Sequence, residues 1–314
     1  MKELQKVFEA KMTVSEIIIY CKNDLGILFE RISETEASEF LQKNNFFLRI
    51  IQYAEVWEKT TANGKYENMD FAHLIELSTI DMFFRKLIFK MAIDFEHYLK
   101  VALVNECQHN IADDGYEVVE NFLNENTHTK DNVELALHNH QFKKYSTLIC
   151  GKDISSISVW TLMELIGFND LILFYDYYYT FFRSEGEYTK HFDAVRRLRN
   201  ATAHNDCLLC NFKPIQHFNS DATTTFELLA AKLEVEHRII SDCMKVPLLN
   251  DLAVMFRVYS KIVSSDVIKD FTFKELKNFF EGRMIRNKEL FENLEYVKNA
   301  YRFTIAVIKY YGAH

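Results

Sequence analysis

The sequence predicts an all-α fold, and three observations carry that expectation. Only 2 prolines (Pro214 and Pro247) and 8 glycines occur in 314 residues, where average usage would give roughly 16 and 22. A β-sandwich or barrel needs a turn every ~8–12 residues, and this chain lacks the residues to build them. Apolar residues recur instead at three- and four-residue steps over long stretches. With 48% hydrophobic residues, including 27 Phe and 16 Tyr, the chain can fill a sizeable core.

The elements follow in order. The opening MKELQKVFEAKM has no uninterrupted apolar run of the signal-peptide kind. Thr13 to Glu16 and Ser33 to Glu36 each fit a capping box, in which hydroxyl and carboxylate satisfy the free amides of a helix start. Phe40 to Lys59 supplies core candidates Phe40, Leu41, Phe47, Leu48, Ile51 and Val56, and Asn63-Gly64 marks a turn. Asp70 caps a long helix from Phe71 to about Asn110, with a possible break near Ser78. Its apolar stripe is Ile80, Phe83, Phe84, Leu87, Ile88, Met91, Phe95, Leu99 and Leu103. Asp113, Asp114 and Gly115 end it. A weak helix is expected between Asn124 and Asn139, a strongly apolar one from Ile157 to Phe182 interrupted at Gly167, and another from Glu187 to His204. A polar run from Asn205 to Asp221 follows. Helical spacing returns over Phe226–Ile240, Asn250–Ile268 and Phe273–Tyr311.

Charge and cysteines narrow the setting. A net charge of −8 excludes a general polyanion binder, so any nucleic-acid site must be a local patch. Six cysteines (Cys21, Cys107, Cys150, Cys207, Cys210, Cys243) are scattered through a long chain, unlike the dense framework of a small secreted domain. No stretch approaches the ~18 consecutive apolar residues of a membrane helix. The expected location is the cytoplasm, with no membrane partner.

The most informative segment runs from Lys190 to His204. Four basic side chains (Lys190, Arg196, Arg197 and Arg199) stand there against one acid, Asp193. Phe192, Val195 and Leu198 make the buried stripe, and Arg196, Asn200 and His204 fall at four-residue steps on another face. These residue types suit phosphodiester chemistry. An imidazole titrates near neutral pH and can take the proton of a ribose 2′-hydroxyl or protonate a leaving 5′-oxygen. A guanidinium offers permanent charge and forked donors to a phosphate, and an amide can hold a phosphate oxygen or orient the imidazole. This set requires no metal or other cofactor. In an unbroken helix Arg199 and His204, five residues apart, would point ~140° from one another. Either the helix ends or unwinds at His204, or the site is assembled from two copies. On pattern alone, a solvated helix face with a capping histidine is the more common outcome.

Arg199-Asn200-x-x-x-His204 resembles the Arg, polar residue, x-x-x-His signature of HEPN ribonucleases (higher eukaryotes and prokaryotes nucleotide-binding). Leu198 to Asn205 is similar to the "LRN-x-x-AH" block of the Abi-D/Abi-F abortive-infection family of bacterial phage-defence proteins. Other blocks fit in order. Phe40 to Arg49 resembles the family's N-terminal "FL-x-x-x-NYYRL" segment. Asp81 with Arg85, followed by Ile93 to Glu96, resembles its "D-x-x-x-R … I-E-x-x-E" helix. Ser158 to Phe168 resembles its "x-x-W-x-x-x-E-x-x-x-F" helix. The likeness covers roughly residues 1–280. It departs after His204, where Cys207, Leu209, Cys210 and Asn211 stand in place of the family's "H-x-R-x-W-N-R".

The resemblance implies a HEPN-type helical bundle with additional N- and C-terminal helices. The expected division is an N-terminal segment over 1–67, a core over 68–212 and a C-terminal segment over 213–314. It implies metal-independent RNA cleavage leaving a 2′,3′-cyclic phosphate and a 5′-hydroxyl, with Arg199 and His204 catalytic and Asn200 supporting. One motif per chain implies a homodimer, and restraint of such an activity implies an RNA or protein antitoxin. Asp81, Arg85 and Glu96 are candidates to brace the catalytic helix, alongside the plainer reading as surface ion pairs. Lys190, Arg196 and Arg197 are candidate RNA contacts. Arg283 and Arg286, in a basic stretch with Lys274, Lys277 and Lys288, are further ones, although a solvated helix face is the plainer reading. The alternatives are a non-catalytic RNA-binding module holding a structured or small RNA, and a protein-interaction scaffold.

Two other features take structural readings. Cys207 and Cys210 with His204 and His217 could be imagined as a zinc site, but a single C-x-x-C favours buried thiols. The aromatic run Leu171 to Phe182 could stack on bases, but its density favours a packed core helix. His97, His109, His138, His140 and His191 lack metal-ligand spacing.

Overall fold

A computed structural model describes residues 11–60, 62–138, 153–183, 186, 188–216 and 222–313. Among these residues the chain is all-α, with fourteen α-helices, short 3-10 turns and no strand beyond two isolated bridges. The helices are α1 Val14–Asn23, α2 Glu34–Lys43, α3 Phe47–Ile50, α4 Phe71–His109, α5 Glu117–Glu125, α6 Thr127–His138 and α7 Val159–Leu165. Then come α8 Phe168–Phe181, α9 Phe192–Ala203, α10 Thr223–Lys232, α11 His237–Met244, α12 Pro247–Ile262, α13 Asp266–Glu281 and α14 Glu295–Tyr311.

Both capping boxes form. The Thr13 and Ser33 hydroxyls accept the amides of Glu16 and Glu36, whose carboxylates accept the cap amides in return. Asp70 starts α4 through Oδ1, which accepts the Ala72 amide at 2.9 Å, while Oδ2 accepts the Glu30 and Arg31 amides at 2.7 and 3.0 Å. The break considered near Ser78 does not occur. The hydroxyls of Ser78 and Thr79 both donate to the Ile75 carbonyl, at 3.0 and 2.7 Å, so they are satisfied within the helix and do not compete with it. Gly167 does separate α7 from α8.

The chain forms two compact units, and four helices contribute residues to both: α4, α9, α12 and α13. One unit comprises residues 1–89, 198–253 and 270–314. Its core includes Ile50, Tyr53, Leu74, Ile80 and Phe84, with Phe84 stacked on Phe279 and edge-on to Phe280. Trp57, His73 and Phe291 form a second ring cluster. Glu76 on α4 and Arg283, just past α13, close a two-pronged ion pair between side chains that are 10% and 17% exposed.

The other unit comprises residues 90–197 and 254–269. Phe95 of α4 meets Phe168 and Phe192 edge-on, Phe122 meets Phe174, and Tyr175 packs on Phe192. The Tyr178 hydroxyl donates to Asp113 at 2.7 Å. Gly115, at a φ of +78°, gives the α4–α5 turn a left-handed backbone that favours glycine, and the Trp160 ring packs closely over it.

Candidate functional site

Helix α9 is amphipathic, burying Phe192, Ala194, Val195 and Leu198. It stops where the chemistry-bearing residues sit. The His204 amide still bonds the Asn200 carbonyl at 2.9 Å, but Asn205 adopts a left-handed φ of +59°. The Asn205 amide then bonds Thr202 O at 3.2 Å and the Asp206 amide bonds Ala201 O at 2.8 Å. This pair of bonds is the Schellman arrangement, with His204 as the last half-helical residue. The helix therefore ends just after His204, whose own amide keeps the helical bond, so the direction of its Cβ still follows the register of Arg199 and Asn200. The His204 side chain is exposed, whereas Arg199 and Asn200 are half-buried, and the Arg199 guanidinium donates to Asn200 Oδ1 at 3.3 Å.

A buried carboxylate anchors the segment that leaves this helix end. Asp81, fully buried on α4, accepts the amides of Leu208 and Leu209 on Oδ1 at 3.1 and 3.0 Å. Its Oδ2 accepts the Tyr53 hydroxyl at 2.6 Å and the Arg85 guanidinium. Arg85 also donates to the Tyr53 oxygen and to the Asp206 carbonyl, both at 3.3 Å. Burial pushes the Asp81 carboxyl above its ordinary range, and Tyr53, Arg85 and the two amides hold it back. Burial and the neighbouring Asp81 charge raise the Tyr53 phenol far above its usual value. On the other side of the turn, the Arg49 guanidinium donates to the Asn205 carbonyl and the Cys207 thiol lies 3.7 Å from the Arg49 carbonyl. A cation at a helix C-terminus complements its exposed carbonyls.

The expected site residues are thus distributed unevenly. Asp81 and Arg85 reach the segment following His204. Glu96 does not join the Asp81 group, and its carboxylate pairs with Lys100 on the same helix at 3.5 Å. Arg196 pairs with Asp193 at 2.9 Å, while Lys190 and Arg197 are exposed on α9 or just before it. Arg286 is exposed, whereas Arg283 is occupied by Glu76. Sequence reasoning missed Arg49 and Tyr53, although Arg49 closes the Phe40–Arg49 block that carried part of the resemblance.

The Cys210 thiol lies 3.1 Å from the Cys207 carbonyl, and burial pushes it up to about 11. Burial also raises Cys207. Such thiols are poor nucleophiles and poor metal ligands at neutral pH. Among the described residues no group of three or more His, Cys, Asp or Glu could hold a metal ion. Cys150, His140 and His217 lie outside the described residues, as do residues 1–10, Asn139, Glu187 and Asp221. The aromatic run of α8 buries Leu171, Phe174, Tyr175 and Tyr178 in the core.

Fold and site together define a class: an all-α protein whose polar centre is built from side chains on and around one helix end. The chain belongs to the Abi-like protein family, whose model matches residues 39–209, more than half of its 314 residues. The match includes Arg49, Tyr53, Asp81, Arg85 and the whole Arg199–His204 motif, and the family points to a role in abortive infection. No curated protein and no solved structure matches the chain. No helix among the described residues is long and apolar enough to cross a membrane.

Proposed function

We propose that this chain is a HEPN-type RNA endonuclease acting in abortive infection. The observation that carries the proposal is the Arg199–His204 motif at the end of α9, where Arg199 touches Asn200, His204 is exposed and Asp81 fixes the backbone that follows. His204 keeps its helical amide bond, so it diverges from Arg199 of its own chain by ~140° and a second copy completes the site. His204 takes the proton of a ribose 2′-hydroxyl, and the 2′-oxygen attacks the adjacent phosphorus. The bond from phosphorus to the 5′-oxygen breaks, leaving a 2′,3′-cyclic phosphate and a 5′-hydroxyl. A second copy of His204 in a homodimer donates the proton that the leaving oxygen needs. Arg199 neutralises charge gathering on the phosphoryl oxygens, and Asn200, in contact with Arg199, orients it. No step requires a metal.

Lys190, Arg196, Arg197 and Arg286 are assigned to the RNA backbone, where each contact adds to the salt dependence of binding. Arg283 is assigned to the fold, because Glu76 occupies its guanidinium. An RNA or protein antitoxin restrains the enzyme in the cytoplasm. Incubation of the chain with end-labelled RNA, with and without a chelator, tests this reading. Chelator-resistant cleavage that disappears in His204→Ala and Arg199→Ala supports it. RNA binding without cleavage by any form would replace it with a non-catalytic RNA-binding module. Absence of RNA affinity at low salt would leave a protein scaffold.

A further inference from the structure

The unit that contains His204 also holds a cavity of about 430 Å³, within the ~300–1,000 Å³ range of small-molecule sites. Its walls are apolar: Leu77, Ile80 and Phe84 from α4, Leu252 from α12, Phe280 at the end of α13 and Met284 just past it. The two hydroxyls in the lining are turned to backbone carbonyls, Thr304 to Ala300 at 2.8 Å and Tyr301 to Phe280 at 3.4 Å. The interior therefore offers a polar ligand almost nothing. The charged residues of the lining are Lys288, Lys298, Arg302 and Glu292, all exposed or half-exposed, which places them at the opening. Lys298 pairs with Glu295 at 2.7 Å, Glu295 also feels Arg302, and Glu292 lies in the same lining. The three cations Lys288, Lys298 and Arg302 thus outnumber the two carboxylates, and the mouth is net positive.

We propose that this cavity binds a free single-chain amphiphile with an anionic head, the alkyl chain inside and the head at Lys288 and Arg302. Apolar depth behind a cationic rim selects that chemistry over a neutral or cationic chain. Leu209 lines the cavity and its amide is held by Asp81 at 3.0 Å. Occupancy is thereby felt in the segment that follows His204. The binding claim does not rest on the ribonuclease reading.

Calorimetric titration of the full chain with octanoate, decanoate and laurate below their micelle concentrations tests the proposal. Saturable 1:1 binding should tighten about fourfold per added methylene. Dodecyltrimethylammonium should bind at least tenfold more weakly than laurate. The surface double variant Lys288→Glu/Arg302→Glu should weaken laurate at least tenfold and leave dodecanol unchanged, and Ala300→Phe should fill the cavity and abolish both. Bound laurate should slow hydrogen exchange at the Leu208 and Leu209 amides. The proposal is overturned by no saturable laurate binding, by equal affinity for the cationic chain, or by binding to phosphatidylglycerol vesicles alone. Unchanged exchange at Leu208 and Leu209 with laurate bound would overturn the link to Asp81.

Discussion

Replacing Asp81 by asparagine removes one charge from a place where nothing else can balance it. Asp81 and Arg85 have side-chain exposures of 0% and 9%, so solvent screening gives little relief, and the surface-pair range of ~0–1 kcal/mol does not apply. An asparagine oxygen can still accept the Leu208 and Leu209 amides. Its amino group then faces the Arg85 guanidinium donor against donor, and the Tyr53 hydroxyl, which donated to Asp81, can only accept from it. Arg85 has no ready substitute, because its buried Nε already lacks a hydrogen-bond partner. Breaking one side of a buried ion pair costs about 3–5 kcal/mol, a large share of the ~5–15 kcal/mol that holds a typical domain together. In urea the midpoint should fall by that loss divided by the unfolding slope, with the slope itself unchanged. Asp81→Asn combined with Arg85→Met should cost less than the sum of the two single changes, with a coupling of about 0.5–3 kcal/mol. A loss under about 1 kcal/mol in Asp81→Asn, or strict additivity in the double variant, would refute the buried anchor.

Three further outcomes follow from the same structure. The Asp70 amide donates to His73 Nδ1 at 2.7 Å, and burial holds the His73 pKa below the ordinary histidine value. The unfolded chain takes up that proton first, so the contribution is intact above pH ~6.5 and is lost as pH falls toward the lower folded value. His73→Phe should flatten the stability profile in that window, and identical slopes for both proteins would contradict the assignment. At the left-handed Asn205, Asn205→Val should cost about 1–2 kcal/mol in thermal unfolding, whereas Asn205→Gly should be neutral or stabilising; equal losses would deny the Schellman turn. Finally, Arg283→Ala should lower the unfolding midpoint through the abandoned Glu76. Arg286→Ala should leave that midpoint alone and reduce the salt slope of RNA binding by about one.

Much of this architecture was legible in the sequence because its determinants are local. The capping boxes at Thr13 and Ser33, the Asp70 cap and the separation at Gly167 each depend on residues within one turn of one another. The Arg199–His204 motif was legible for the same reason, down to the possibility that the helix ends there. What escaped is long-range. Asp81 is satisfied by two backbone amides 127 and 128 residues away, and an amide has no sequence signature. Tyr53 lies in a 3-10 turn too short to show a period, and Arg283 finds Glu76 across 207 residues. Ser78 misled in the opposite direction, since a hydroxyl that can end a helix can also bond back within it.

The central claim is that His204 activates a ribose 2′-hydroxyl beside Arg199. Its most direct test is single-turnover cleavage of an RNA carrying one 2′-deoxyribose at the mapped cleavage position. The account predicts that cleavage stops there, that the all-ribose RNA yields 2′,3′-cyclic phosphate ends, and that His204→Ala yields none. Cleavage that persists at the deoxy position, or 3′-hydroxyl ends from the all-ribose RNA, would contradict it.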